Sequence, residues 1–318
     1  MHTRPLILDT DIGTDVDDAM ALSQILGSPA VHLDSVTTVY GDTHLRAQIA
    51  WSYGRLAGRH LRVHPGEGVP RTGREIYWPG HEGTLQPDLQ TARVEPIGAV
   101  DHLISSLAAR PGELDVVAIG PLTNLASALE REPSVARWIR HLWLMAGDFS
   151  GGDEAEHNVL SDSASAAMVF ASGVPTTVTG TEVTRKLRIE AEGLARIGAA
   201  GALGAALHAD MQQWWAYWQE TWNVPHDPVT VLTLTHPHLF TFSPVGRVEV
   251  VTSGSGEGRT RFVPDPAGAT RLTQSINGAA AAEEMIAAIE RAGSLAGAVI
   301  EEQGPGGLDL PATTNGTP

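Results

Sequence analysis

Short strand-type runs alternate with helix-type runs along the first 180 residues, and this alternation constrains the fold more than any other feature of the chain. PLILD precedes DDAMALSQILG, VHLDSVTTVYG precedes THLRAQIAWSYGRLAG, LDVVAIG precedes PLTNLASALE, and HLWLMAG precedes SDSASAAMVFASG, before a further strand-type PTTVTG. Successive βα units of this kind place their strands parallel, with helices on both faces. The expectation is therefore an α/β fold: one open, mostly parallel (mixed) central sheet flanked by helices, with a Rossmann-like core. A length of 318 residues at 42% hydrophobic content supplies a sizeable core for it. RVEVV and RTRFV flank a Gly-rich turn after Val245 and predict a late hairpin. Residues 1–303 are expected to form one domain, and the low-complexity 304–318, GPGGLDLPATTNGTP, a disordered tail. Loops at 68–95 and 148–161 follow strands, where an open α/β sheet builds its ligand crevice.

The first strand-to-helix junction, ILDTDIGTDVDDAMAL, carries five aspartates: Asp9, Asp11, Asp15, Asp17 and Asp18. Capping explains one or two of them, since carboxylates at a first helical turn bond free N–H groups and suit the macrodipole. Asp9 and Asp11 precede any helix. Carboxylates a few ångströms apart cannot both ionise cheaply unless a cation lies between them or one keeps its proton. An all-oxygen cluster favours a hard divalent cation such as Ca²⁺ or Mg²⁺ over zinc. The stretch is not an EF-hand, because Gly13 falls at the fifth position of the loop rather than the sixth.

Three other clusters are chemically suggestive. VPHDPVTVL holds His226 and Asp227, with Asp227 and Pro228 also suited to start a helix. AEHNVLSD holds Glu156, His157, Asn158 and Asp162 in a Gly-rich loop, and AIGPLTNLASAL places Thr123 and Asn124 in the first turn after a strand. Together with DTDIG, the DD pair and TTVYGD, these motifs occur in an order that resembles the inosine-uridine-preferring nucleoside hydrolase family over roughly residues 5–240.

The resemblance implies a nucleoside hydrolase-like fold and calcium-dependent hydrolysis of the N-glycosidic bond of ribonucleosides to ribose and free base. Carried over residue by residue, the Ca²⁺ ligands would be Asp11, Asp18, the main chain of Thr123, and Asp227, with Asp15 a further candidate. Asp11 would accept the proton of the attacking water, Asp17 would hold the sugar diol, and Glu156 and Asn158 match ribose-holding positions, with His157 between them. His226 and His81 match positions near the leaving base, with His226 the candidate acid. Asp42 stands where Asn is more usual in this family and is carried as a substrate-binding candidate. In QQWWAYWQETWN, which holds Trp214, Trp215, Trp218 and Trp222, helical spacing places Trp215, Trp218 and Trp222 near one face; this suits core or subunit packing, or else one of the tryptophans, with Trp222 carried as the candidate, or Tyr217 stacks on the base. Relatives of this kind imply a homodimer or homotetramer.

A net charge of −16 gives no basic footprint for nucleic acid or an anionic membrane, and no apolar stretch is long enough to span one. The opening MHTRPLILD has no secretory pattern, so a cytoplasmic location is expected. Zero cysteines remove thiolate metal sites and cysteine nucleophiles. LDTD after a strand also suits a haloacid dehalogenase-type phosphatase, but that scheme needs a later lysine, and Lys186 is the only one present. A non-catalytic calcium or nucleoside binding protein on the same scaffold is the other alternative.

Overall fold

The computed structural model describes residues 3–302, so the tail expected at 304–318 lies outside the described residues. The strands are β1 (Arg4–Thr10), β2 (Val31–Thr38), β3 (Val63–Pro65), β4 (Asp115–Ala118), β5 (His141–Met145), β6 (Thr176–Thr179), β7 (Phe240–Phe242), β8 (Gly246–Val250), β9 (Thr260–Pro264) and β10 (Thr270–Ile276). They form one sheet in the order β3-β2-β1-β4-β5-β6-β10-β8-β9, with β7 paired to β10. From β3 to β10 the neighbours are parallel, and only the pairings β10–β7, β10–β8 and β8–β9 are antiparallel. The hairpin expected after Val245 is β8–β9. The mostly parallel sheet is thus the one the alternating pattern predicts.

The helices are α1 (Asp17–Gly27), α2 (Thr43–Leu56), α3 (Ala99–Ala109), α4 (Thr123–Arg131), α5 (Val135–Trp138), α6 (His157–Ser161), α7 (Ser163–Ala171), α8 (Thr181–Thr184), α9 (Ala191–Gly198), α10 (Gly201–Trp218), α11 (His226–Thr235) and α12 (Gly278–Glu302). Two apolar cores fill the spaces on the two faces of the sheet. One gathers Leu6 and Leu8 of β1 with α1, α2, α10, α11 and α12, and the other gathers Ile7 with α3, α4 and α7. Alternate residues of β1 thus point to opposite layers, as the two-residue period of a strand requires. Because β2 and β4 both flank β1, the chain order reverses there, and the ends of β1 and β4 open the crevice characteristic of such sheets.

The exit of the long 68–95 loop is anchored by a buried pair of imidazoles. His64 of β3 and His102 of α3 stack with ring centroids 3.6 Å apart and planes 12° from parallel. His64 donates through Nδ1 to the Ile97 carbonyl at 2.8 Å, which leaves its buried Nε2 without a partner. His102 Nε2 pairs with Ser35 Oγ at 2.7 Å. Burial lowers both rings, His102 to about 4 with further help from His64 beside it. A histidine whose folded pKa is depressed contributes stability that is complete above about pH 6.5 and is lost as pH falls toward 4. We expect the melting temperature of His102→Gln to fall less than that of the wild type between pH 7 and 4.5, by roughly 2–4 °C. Parallel profiles in thermal melts would remove this pair from the acid response.

Candidate active site

At the switch point β1 ends in Asp9-Thr10, and the loop 11–16, which starts with Asp11, turns back into α1. Gly13 supports that reversal with a φ of 116°, which L side chains rarely adopt. Asp17 and Asp18 open α1, as the sequence predicts, while Asp227 sits one residue inside α11, whose first residue is His226 rather than Asp227. Carboxylate oxygens of Asp17, Asp18 and Asp227 lie within 4.8 Å of one another, and all three residues are buried. Asp11 lines the same cavity of about 300 Å³, together with Asp15, Ile119, Glu156, Asn158 and His226.

Burial, and next the neighbouring carboxylates, hold Asp17, Asp18 and Asp227 well above the ordinary carboxylate range. Asp15 is pushed to about 7, chiefly by loss of water. Asp9 also reaches about 7 through burial, although Thr37 Oγ1 at 2.6 Å and Asn124 Nδ2 at 2.7 Å both donate to its Oδ1. Such a cluster holds protons or a cation. Its donors are oxygens only, which fits a hard divalent ion, and the residues present therefore suit the metal this arrangement implies.

Several groups fix this acidic loop. The fully buried Arg46 of α2 donates to the main-chain carbonyls of Asp11, Ile12 (2.9 Å) and Tyr40 (2.6 Å), and its guanidinium stacks over Trp78 at 4.8 Å. It puts one positive charge behind the aspartates. Gly120, after β4, approaches so closely that a Cβ there would lie 2.7 Å from Asp11 Oδ1. Asn158 gives both side-chain protons away, to the carbonyls of Ile119 (2.8 Å) and Met145 (3.0 Å), so only its Oδ1 remains for a ligand. Glu156 caps α6, accepting from the N–H groups of Gly147, Asn158 and Val159. His226 Nδ1 is engaged by Thr184 Oγ1 at 2.6 Å, and burial, with Arg185 nearby, lowers the ring to about 4. Its imidazole is neutral near pH 7, with Nε2 unengaged.

The structure brings Asp11, Asp15, Asp17, Asp18, Asp227, Glu156, His157, Asn158 and His226 to one cavity. Four other candidates lie elsewhere. Thr123 does not line the cavity: it begins α4, its hydroxyl donates to Asp162 at 2.7 Å, and Ile119 at the strand end stands there instead. A carbonyl in a first helical turn is directed along the helix and away from a crevice at its N-terminus, whereas a strand-end residue such as Ile119 borders that crevice. Asp42 is exposed and caps α2 by accepting from Leu45 N at 3.0 Å. His81 holds the acidic loop from behind, its Nε2 donating to the Thr14 carbonyl at 2.8 Å. Trp222 lies beyond α10, which ends at Trp218 where Gln219 turns left-handed, so Trp214 and Trp218 line the cavity in its place. Lys186 points away to the Gln274 carbonyl, so the phosphatase scheme has no lysine at this site.

Arg46, Ile119, Tyr77, Thr181 and Arg185 were not among the sequence candidates, yet all but Arg46 line the cavity. For Arg46 a signal exists: it shares the helical spacing of buried Ile49, Ala50 and Tyr53, and an arginine on a core face needs a partner.

The chain matches the protein family described as inosine-uridine preferring nucleoside hydrolase over residues 6–285. It is 30% identical over 279 residues to a rice (Oryza sativa subsp. japonica) protein named "Probable uridine nucleosidase 1", covering 82% of this chain and 85% of that one. Among solved structures, a plant nucleoside hydrolase, PpNRh1, superposes with a TM-score of 0.80 at 25% identity, covering 91% of this chain and 99% of that one. A purine-preferring ribonucleoside hydrolase from Gardnerella vaginalis gives the same TM-score and identity over 92% and 99%.

Two predictions follow from the site's electrostatics. Arg46→Met leaves three main-chain carbonyls unbonded and should cost about 3 kcal/mol in denaturant unfolding while weakening divalent-cation binding; unchanged stability and affinity would deny Arg46 its clamping role. Carboxyls raised to about 7 give stability that is complete below about pH 4 and lost as pH rises through 7. Added CaCl₂ should therefore raise the melting temperature of chelator-treated protein more at pH 8 than at pH 5. Equal increments would mean that the ion does not displace these protons.

Proposed function

This chain belongs to the inosine-uridine preferring nucleoside hydrolase family and hydrolyses ribonucleosides at the N-glycosidic bond, and we propose that it does so with Ca²⁺ held by Asp11, Asp18, Asp227 and the main-chain carbonyl of Ile119. The observation that carries this reading is the buried oxygen cluster inside a cavity of about 300 Å³, at the low end of small-molecule sites and suited to one nucleoside. When bound, the ion supplies positive charge that polarises the attacking water and fixes the sugar diol.

The chain's own residues supply the remainder. Asp11 accepts the water proton as the water oxygen bonds to the anomeric carbon. Asp17 accepts a hydrogen bond from the sugar diol, and Asn158 Oδ1, its only free group, accepts another. The bond from the anomeric carbon to the base nitrogen breaks with its electron pair going to the base, which leaves as an anion and takes its proton from solvent, while Asp11 returns the water proton to solvent. Carboxylates around the sugar favour the positive charge it gains at that moment, an interaction stronger in the transition state than in the bound substrate. His226 faces the base end. Its lowered pKa makes it a neutral ring that interacts with the departing base through Nε2, rather than a stored imidazolium.

Ribose release from inosine, adenosine, guanosine, uridine and cytidine, assayed with and without chelation, tests the reading. Calcium-restored release is expected, and Asp11→Ala should lose about 10³-fold or more in kcat/KM. Near-normal hydrolysis by that variant would overturn the assignment of Asp11, and full activity after chelation would overturn that of Ca²⁺.

A further inference from the structure

The cavity continues beyond the space a nucleoside needs. Asp15, Arg185, Trp214, Trp218 and His226 line both it and an adjoining groove of about 370 Å³. Asp11, Asp17, Asp18 and Asp227 line only the inner chamber, so a sugar seated on them directs its base outward past His226 toward the groove. The groove adds Trp222, Arg188 and Glu220.

Arg188 distinguishes this groove from an aromatic recess. Its guanidinium carbon lies 3.9 Å over the Trp222 ring, and among the described residues no salt bridge or hydrogen bond occupies its donors. Arg185, by contrast, is paired with Glu154 at 2.7 Å. Stacking on an indole fixes a guanidinium plane and leaves its in-plane N–H fork free, the geometry that receives a carboxylate. Arg188 is exposed, and Arg55 likewise stacks on Trp51 without an acidic partner; what sets Arg188 apart is its place in the groove that continues the leaving-group end of the cavity.

We propose that this groove is a leaving-group subsite, built for a nucleobase that carries a short arm ending in a carboxylate, with Arg188 as the residue that receives it and Trp222 as the support for Arg188. The inference rests on the nucleoside hydrolase reading and extends it to substrate class. Glu220 lines the same groove and disfavours an anion on its own side, so the carboxylate seats at Arg188.

The test compares kcat/KM for adenosine, N6-butyladenosine and N6-(3-carboxypropyl)adenosine, and for uridine, 5-propyluridine and 5-(2-carboxyethyl)uridine, in the wild type and Arg188→Ala. In whichever series the parent nucleoside is cleaved, the wild type should favour the carboxylate derivative over its neutral counterpart. Arg188→Ala should lose about tenfold on the carboxylate derivative alone. Arg188→Lys, which keeps the charge and loses the fork, should fall between. Equal effects of Arg188→Ala on all three substrates, or rejection of both extended substrates while the parent is cleaved, would overturn the subsite and leave the hydrolase reading intact. Failure to cleave either parent would instead count against the hydrolase reading. The subsite is then judged by tryptophan quenching with free N6-(3-carboxypropyl)adenine, which must bind the wild type more tightly than Arg188→Ala.

Discussion

Like charge held out of water is the constraint around which this molecule is arranged. Asp17, Asp18 and Asp227 place oxygens within 4.8 Å of one another in a buried location, an arrangement that would expel itself without positive potential nearby. Three fixed sources provide part of it. The N-termini of α1 and α11 both carry members of the cluster, so the positive ends of two helix dipoles converge there. The N–H of Asp227 itself donates to Asp17 Oδ2 at 3.3 Å, linking the two helix starts directly. Arg46 adds a full charge from behind. What these leave uncompensated is the part a divalent cation or bound protons must supply.

The same cavity is graded in polarity along its length. Carboxylates surround one end, where the proposed reading seats the sugar, whereas the other, proposed for the base, is met by a neutral imidazole, Trp214, Trp218 and the guanidinium of Arg185. Glycosidic cleavage separates charge in the same sense, with the sugar becoming positive and the base negative. A fixed field of this direction lowers the barrier without reorganising at the moment of reaction. A neutral His226 is consistent with that field, because a buried imidazolium beside Arg185 would repel its neighbour in the resting enzyme.

The fold was legible because strand and helix periods are local properties: a βα unit, the DD start of α1 and the β8–β9 hairpin can each be read within about two dozen residues. The site was legible where chemistry and position coincide in one motif, as for Asp11, Asp17, Asp18, Asn158 and Asp227. It was not legible where a residue serves through its main chain or through distant packing. Ile119 lines the cavity and would serve through its carbonyl, which carries no side-chain signature, whereas the nearby Thr123 is the more polar residue and the more suitable by sequence. Arg46 acts on a loop 32 to 35 residues earlier in the chain, a distance no motif spans. The tryptophan run was legible only in part, because helical spacing extends no further than Trp218: the left-handed backbone at Gln219 ends α10 and sets Trp222 in the adjoining groove rather than on the helix face.

The two ends of the cavity are also built from different materials, and this bears on how substrate choice is set. At the sugar end the backbone itself is tied: Asn158 joins the ends of β4 and β5, Glu156 gathers three N–H groups, and Gly120 lets the main chain approach Asp11. Few substitutions there leave the geometry intact. At the base end the walls are side chains on helices and long loops, and the outermost are exposed: Trp218 at 54%, Tyr217 at 44% and Tyr77 at 38%. The Tyr77 hydroxyl donates to that of Tyr217 at 3.0 Å, so the exposed rim of the long loop meets α10 through an exchangeable contact, while Gln86–Asp210 and Gln213–Thr84 join the two elsewhere. Rim residues of this kind can be replaced without disturbing the acidic cluster. A rigid sugar end therefore fixes the reaction, and an adaptable base end is free to fix the substrate.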